Sequence, residues 1–302
     1  SVRWSLSGEM RAVTLNYLST SFGTDHPFQS AVGVDLGGTK LLIRYRDHSF
    51  RFDTGPMFGA ADLTKILKSF IDAHTEPGCV IGIAIPGLIE NDSVAACDVL
   101  PGLIGWSART LLDPRISRTS LVNDAKAALH ATALDLPIDS TAIAVMAGTA
   151  IGCGIMVNGR QLLGAHGWAG ELGYWPIQTS VSQWLRLDEV AGGRYMANRL
   201  GVDGNQLALL GRQGNQAALD VISQGGHALG GVLGGLINLF NPHRLSVGGG
   251  ALWLPGYWTE AQAQIDALAI PSMLAGCEIR TVHGVEDLVA MGAAQIALKT
   301  LC

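Results

Sequence analysis

Ala31-Val32-Gly33-Val34-Asp35-Leu36-Gly37-Gly38-Thr39-Lys40, followed at once by Leu41-Leu42-Ile43-Arg44-Tyr45, is the stretch that decides the fold. Residues 31–36 read as a buried strand, and Gly37-Gly38-Thr39 reads as a tight turn. Residues 41–45 then read as a second strand and residues 49–53 as a third. In a dinucleotide-binding unit the glycine turn opens a helix. Here another strand follows it, so the glycines lie at the tip of a β-hairpin. That order argues against a Rossmann oxidoreductase.

Working outward, residues 62–73 form an amphipathic pattern with Leu63, Ile66, Leu67, Phe70 and Ile71 on one helical face. Residues 80–85 are an apolar strand ended by Pro86-Gly87, residues 120–122 a short strand, and residues 124–134 a helix. The same pattern then returns: a strand over 142–147, a glycine turn over 148–152 and a strand over 154–157. Helices are expected over 183–200, 215–240, 255–268 and 288–300, with strands over 245–247 and 278–282. The expected class is α/β, with two related lobes that each point a glycine hairpin into a shared cleft. Residues 1–30 read as an appendage, a short helix over 9–18 and a linker over 19–30. Residues 31–122 read as a small N-terminal lobe and 123–287 as a large C-terminal lobe. The closing segment, 288–302, is a candidate to pack on the small lobe.

Composition narrows the function. Of 302 residues 48% are apolar and 15% charged, which allows a sizeable core and argues against disorder. Glycine occurs 39 times without a Gly-X-Y period, so the excess belongs to turns and close backbone approaches. A net charge of -5 argues against nucleic acid as the partner. Cys79, Cys97, Cys153, Cys277 and Cys302 are scattered, which gives neither a disulfide framework nor a paired-cysteine zinc site. The expected compartment is the reducing cytoplasm; Arg3, Glu9 and Arg11 break up any secretory signal. Residues 140–159 carry no charge, yet Gly148-Thr149, Gly152 and Gly154 suit two buried strands and a turn better than a membrane span.

Two loops carry candidate chemistry. Gly37, Gly38 and Thr39 let backbone N–H groups and a hydroxyl reach an anion. Asp35 cannot serve a phosphate directly, but it suits a site in which Mg²⁺ and its waters lie between. Gly148-Thr149-Ala150-Ile151-Gly152-Cys153-Gly154 repeats the Gly-Thr pair. Each loop alone reads equally as an ordinary tight hairpin; two in one chain point to a polyphosphate gripped from two sides. No Gly-Lys-Ser or Gly-Lys-Thr occurs, which excludes a Walker loop. Asn123-Asp124 reads as a helix cap or as a general base for a substrate hydroxyl. Cys153 reads as a small buried residue and His166 as part of a turn. Trp253, Tyr257 and Trp258 read as an aromatic patch near Gly250.

Val34–Lys40, Val122-Asn123-Asp124-Ala125, Gly148–Gly154, Gly164-Ala165-His166-Gly167-Trp168-Ala169-Gly170-Glu171-Leu172-Gly173 and Ser246-Val247-Gly248-Gly249-Gly250 occur in the order seen in the ROK family. That family of sugar kinases and sugar-responsive repressors belongs to the actin/hexokinase-like ATPase superfamily, and the resemblance runs from about residue 31 to 298. It implies two ribonuclease-H-like lobes around a nucleotide and sugar cleft, with ATP and Mg²⁺ as cofactors. It implies that Asp35, Gly37, Gly38, Thr39, Lys40, Gly148, Thr149 and Gly152 serve the phosphates and metal, and Gly248, Gly249 and Gly250 the adenosine. Asp124 resembles the base for a sugar hydroxyl, usually the 6-hydroxyl. Asn123, Asp124, Glu171, Tyr174 and Asp188 fall at sugar-binding positions. The resemblance also implies a homodimer; from charge and sequence pattern, neither nucleic acid nor membrane is an expected partner.

The chain departs from the family on the sugar side. The family's zinc-binding His is Tyr174, and residues 175–187 contain no Cys, so no structural zinc is expected. Tyr174 either offers its hydroxyl or simply packs. Asp188 stands where the family has a sugar-contacting Glu, Gly102 where it has an Asn, and Lys126 where it often has a second Asn or a Gln. The leading expectation is ATP-dependent phosphorylation of a hexose or N-acetylhexosamine. The alternative is a weak or inactive sugar or nucleotide sensor of the same fold. A repressor needs an N-terminal winged helix, for which residues 1–30 are too short.

Overall fold

The computed structural model describes residues 2–4, 10–12, 30–180, 182–282 and 287–299. In chain order the strands are β1 (Val2–Trp4), β2 (Met10–Ala12), β3 (Ala31–Leu36), β4 (Lys40–Tyr45), β5 (His48–Asp53), β6 (Cys79–Ile85), β7 (Leu88–Glu90), β8 (Ser93–Ala96), β9 (Ile116–Asn123), β10 (Ala142–Ala147), β11 (Ile151–Val157), β12 (Arg160–Gln161), β13 (Pro176–Ser180), β14 (Gln183–Arg186), β15 (Arg244–Gly248) and β16 (Glu278–Val282). The α-helices are α1 (Ala60–His74), α2 (Asp124–Thr132), α3 (Leu187–Ala191), α4 (Gly193–Asn198), α5 (Gly204–Arg212), α6 (Gln216–Phe240), α7 (Tyr257–Leu268), α8 (Pro271–Ala275) and α9 (Leu288–Lys299). Among the described residues no helix is long and apolar enough to cross a membrane.

Two compact units divide the chain. Unit 1 takes the described residues of Ser1–Leu134, His166–Trp168 and Val285–Cys302; unit 2 takes those of Asp135–Ala165 and Ala169–Gly284. Helix α2 belongs to unit 1, where it packs on α9.

Unit 1 is built on a seven-stranded sheet in the order β2-β1-β5-β4-β3-β6-β9. The pairs β3–β4 and β4–β5 are antiparallel, and β3, β6 and β9 run parallel. Period-2 alternation sorts the two faces of its centre by size. Val32, Val34, Leu36, Ile81, Ile83 and Ile85 join Leu63, Leu67 and Phe70 of α1 in one core. On the opposite face Ala31 and Val80 meet Ala294 and Ala297 of α9, and Ala84 meets Ala293. A Cβ at Gly33 or Gly82 would strike the carbonyls of Ala290 or Ala293, so α9 lies almost on the sheet backbone. At the far edge, residues 10–12, expected inside a helix over 9–18, instead pair antiparallel with β1. The rest of that expectation lies outside the described residues.

Unit 2 has a five-stranded sheet, β12-β11-β10-β15-β16, with β10, β15 and β16 parallel. Long α6 covers its core with α7, and Asn215 caps it by accepting the Ala218 N–H at 3.1 Å. The expected helix over 183–200 is corrected at its start. Residues 183–186 form β14, which pairs with β13, and helices α3 and α4 begin only after it. A partner strand supplies the hydrogen bonds there that a helix would have made locally. Of the three aromatics near Gly250, Tyr257 is fully buried and donates its hydroxyl to the Ala191 carbonyl at 2.7 Å, whereas Trp253 is exposed.

Candidate active site

In unit 1 the candidate chemistry gathers at the C-terminal ends of the parallel strands. Asp35 pairs with Ala84, and Ile85 pairs with Asn123, which brings Asp35 and the start of α2 to one sheet edge. The Asn123 side chain caps α2 by accepting the Ala125 N–H at 3.0 Å and also donates to the Gly87 carbonyl at 3.0 Å. Asp124 is therefore the first residue of the helix, and its Oδ1 accepts the Ala125 N–H at 2.8 Å. The cap is the Asn123 side chain, which leaves the Asp124 carboxylate as a separate group on the first turn of α2.

The electrostatics follow from burial. Asp35 is pushed up to about 7 by burial first and by the Asp124 carboxylate second, with Lys40 pulling the other way. Burial pushes Asp124 up to about 6, against the pull of the Ala125 N–H. Two carboxylates that repel each other at a sheet edge are oxygen donors suited to a hard cation.

The first hairpin is closed by Gly37 N–H to the Lys40 carbonyl at 2.8 Å. Thr54 braces it, donating its hydroxyl to the Gly37 carbonyl at 2.8 Å and its N–H to that of Thr39 at 3.2 Å. Among the described residues the Gly38 and Thr39 N–H groups have no partner.

Unit 2 closes its hairpin with a turn one residue shorter. Gly148 N–H closes on the Ala150 carbonyl at 3.0 Å. Gly193 and Arg194 N–H bind the Gly148 and Thr149 carbonyls at 2.8 and 3.1 Å. The carbonyls thus face α4, while Thr149 and Ala150 are exposed and their N–H groups have no partner among the described residues. Gly152 lies inside β11, paired with Met146. Gly248 ends β15, and Gly249, at φ +102°, packs where a Cβ would strike the Ala147 carbonyl. The Gly148 and Gly248–Gly250 turns are thus neighbours at the C-terminal ends of β10 and β15.

The sugar-side residues of unit 2 are placed as follows. Asp188 accepts the Ile151 N–H at 2.6 Å, which commits one of its oxygens to the second hairpin. Burial raises its carboxyl, against the pull of that N–H. Glu171 is exposed at the start of the 3₁₀ turn Leu172–Tyr174. Tyr174 is 58% exposed, with the Arg186 guanidinium 4.9 Å from its ring centroid, so it stacks rather than packs in the core. In unit 1 a Cβ at Gly102 would lie 3.1 Å from Gly59 Cα and 3.2 Å from the Phe58 carbonyl oxygen, which leaves an Asn side chain little room.

Sequence reasoning missed two features. Thr54 gave no signal at all. Lys126 was noted only as an altered residue. It is buried between Ala125 and Ala127 and donates to the Gly167 carbonyl; a lysine in so apolar a helix was the signal available. Among the described residues no group of three or more His, Cys, Asp or Glu side chains could hold a metal ion.

Comparison with known proteins agrees with this architecture. The chain is similar to the N-acetyl-D-glucosamine kinase of Pectobacterium atrosepticum, 28% identical over 253 residues, covering 72% of this chain and 83% of that one. Its fold matches the ROK hexokinase of Thermus thermophilus with a TM-score of 0.73 at 24% identity, over 90% of this chain and 98% of that one. It also matches a ROK glucokinase of Streptomyces griseus, solved with glucose and AMPPNP, with a TM-score of 0.70 at 20% identity, over 89% and 99% of the two chains. The ROK family pattern covers residues 31–300, nearly the whole length, and the chain belongs to the ROK family.

Proposed function

We propose that the sugar kinase activity of this chain moves the γ-phosphoryl group of ATP onto a hexose or N-acetylhexosamine, at the 6-hydroxyl, with Asp124 as general base. The observation that carries this is the half-buried carboxylate on the first turn of α2, raised to about 6 and so ionised yet basic at neutral pH. Asp124 takes the proton from the sugar hydroxyl as its oxygen bonds to phosphorus; the bond to the β-phosphate oxygen breaks and ADP leaves. Gly38 and Thr39 offer N–H groups suited to phosphate oxygens, and Thr149 and Ala150 do so within their own unit. Asp35 and its waters would hold Mg²⁺; when bound, the ion neutralises charge on the phosphates. The similarity to an N-acetyl-D-glucosamine kinase supports the substrate class, and the glucokinase solved with AMPPNP supports the nucleotide.

A second reading, a sensor with weak or no turnover, draws on Gly102, Tyr174 and Asp188, which differ from the family's residues at its sugar-contacting positions. A coupled ADP-release assay with MgATP over glucose, mannose, allose, fructose, N-acetylglucosamine and N-acetylmannosamine decides between them. Turnover on one sugar that disappears in Asp124→Asn supports the kinase; nucleotide and sugar binding without turnover supports the sensor.

A further inference from the structure

His166–Trp168 pack with unit 1, although the chain on either side of them belongs to unit 2. Two supports hold this tripeptide. The first is Lys126, on the first turn of α2, whose ammonium donates to the Gly167 carbonyl. The second is β7. The Ile89 carbonyl oxygen lies 3.5 Å from where a Gly167 Cβ would stand, and Glu90 Oε1 is 3.8 Å from His166 Nδ1. Strand β7 is itself tied through Gly87 to the Asn123 side chain. The residue just before Asp124 and the residue two after it therefore carry the two supports. A buried ammonium is expensive to desolvate, and a solvent loop of ordinary purpose needs no such anchor.

The supports present an aromatic pair to solvent. Trp168 and His166 are both exposed, their ring centroids 5.9 Å apart and tilted by 51°. An indole offers a flat apolar face to the C–H groups of a sugar ring, while imidazole and carboxylate at its edge exchange hydrogen bonds with hydroxyls. Sites that bind small polar molecules combine such a wall with a few placed polar groups.

We infer that Trp168 and His166, with Glu90 at their edge, form the specificity-determining wall for the sugar that reacts at Asp124, and that Lys126 is the positioning residue that holds the wall. The inference rests on the sugar-kinase reading. The favoured substrate is a pyranose whose hydroxyls are equatorial, because its ring then offers an unbroken C–H face.

The test uses the full chain with Trp168→Ala, Trp168→Phe, Lys126→Met and Lys126→Arg, on the sugar that the wild type uses best. Trp168→Ala raises the sugar KM roughly tenfold or more and leaves the KM for ATP unchanged. Trp168→Phe keeps most of the affinity. Lys126→Met raises the same KM, and Lys126→Arg recovers part of it. An unchanged sugar KM in Trp168→Ala overturns the inference, as does a rise of both KM values in step. Trp168→Ala removes an exposed ring, so it decides the matter even where Lys126→Met does not fold. Calorimetric titration of the sugar keeps the two readings separable. Binding without turnover in the wild type, lost in Trp168→Ala, upholds the wall and sinks the kinase; a wild type that neither binds nor turns over any sugar sinks both.

Discussion

Strands β5-β4-β3-β6-β9 of unit 1 and β12-β11-β10-β15-β16 of unit 2 run in the same order and with the same senses, an antiparallel pair of hairpins leading into two parallel neighbours. These two sets of strands differ at their C-terminal ends. The penultimate residue of β3 is Asp35; that of β10 is Met146. The strand beside β3 ends before Pro86-Gly87, and the strand beside β10 ends in Gly248, followed by Gly249, where a Cβ would strike the Ala147 carbonyl. At its strand ends unit 1 thus carries ionisable oxygens beside the Gly38 and Thr39 N–H groups, whereas the hairpin of unit 2 carries the Thr149 and Ala150 N–H groups without a carboxylate in that last pair. A single topology serves both because its strand ends always deliver a loop to the same edge, and the residue in the last pair decides what that edge can bind.

If this division of labour holds, the largest effect belongs to unit 1. Asp124→Asn lowers kcat by about 10²–10⁴-fold in the ADP-release assay, with little change in nucleotide affinity by calorimetry. A loss below tenfold would break the comparison, because the carboxylate edge would then not be the chemical one. Next comes pH. Asp124 works deprotonated and its carboxyl is raised to about 6, so kcat/KM rises with pH up to that value and levels off above it. Below it the rate falls about tenfold per pH unit. A flat profile from pH 5 to 8 would remove Asp124 from the role.

Unit 2 predicts a smaller effect of a different kind. Thr149→Val removes an exposed hydroxyl beside two unpartnered N–H groups and raises the KM for ATP roughly fivefold to tenfold, with the sugar KM unmoved. An equal shift in both constants would erase the distinction between the edges. The smallest effect is on stability. Asp35 is raised from 3.8 to about 7, so the unfolded chain loses its proton first as pH rises. The contribution of Asp35 to stability is therefore fully present below about pH 4 and lost as pH rises through about 7. Asp35→Asn, which cannot ionise, accordingly raises Tm in metal-free buffer by about 2–8 °C at pH 8, and the gain shrinks below pH 6. Thermal melts at the two pH values check the sign.

The hairpins and the parallel strands were legible because a glycine turn between two short apolar runs leaves few alternatives. Family membership was legible from five motifs in order. What escaped depends on partners distant in sequence. Gln183-Trp184-Leu185-Arg186 has no strand pattern of its own and becomes one through Pro176–Ser180. Tyr257 was legible as an aromatic near Gly250, but nothing local reveals that its hydroxyl meets Ala191. Asp188 was legible as an acidic residue, but not the bond that ties it to Ile151 across 37 positions. Lys126 stood out in composition, while its anchor, Gly167, lies 41 residues away.

The close seat of α9 on Gly33 and Gly82 also sets an order in time. The strands that α9 covers are made early, and α9 itself is made after the whole of unit 2. During synthesis the small-residue face of β3 and β6 stays open to water until the ribosome has released residues 288–299. Loop closure over such a span is slow compared with local hairpin formation. Unit 1 therefore completes its packing last although it is begun first, and until then its sheet leaves a face open to non-native contacts.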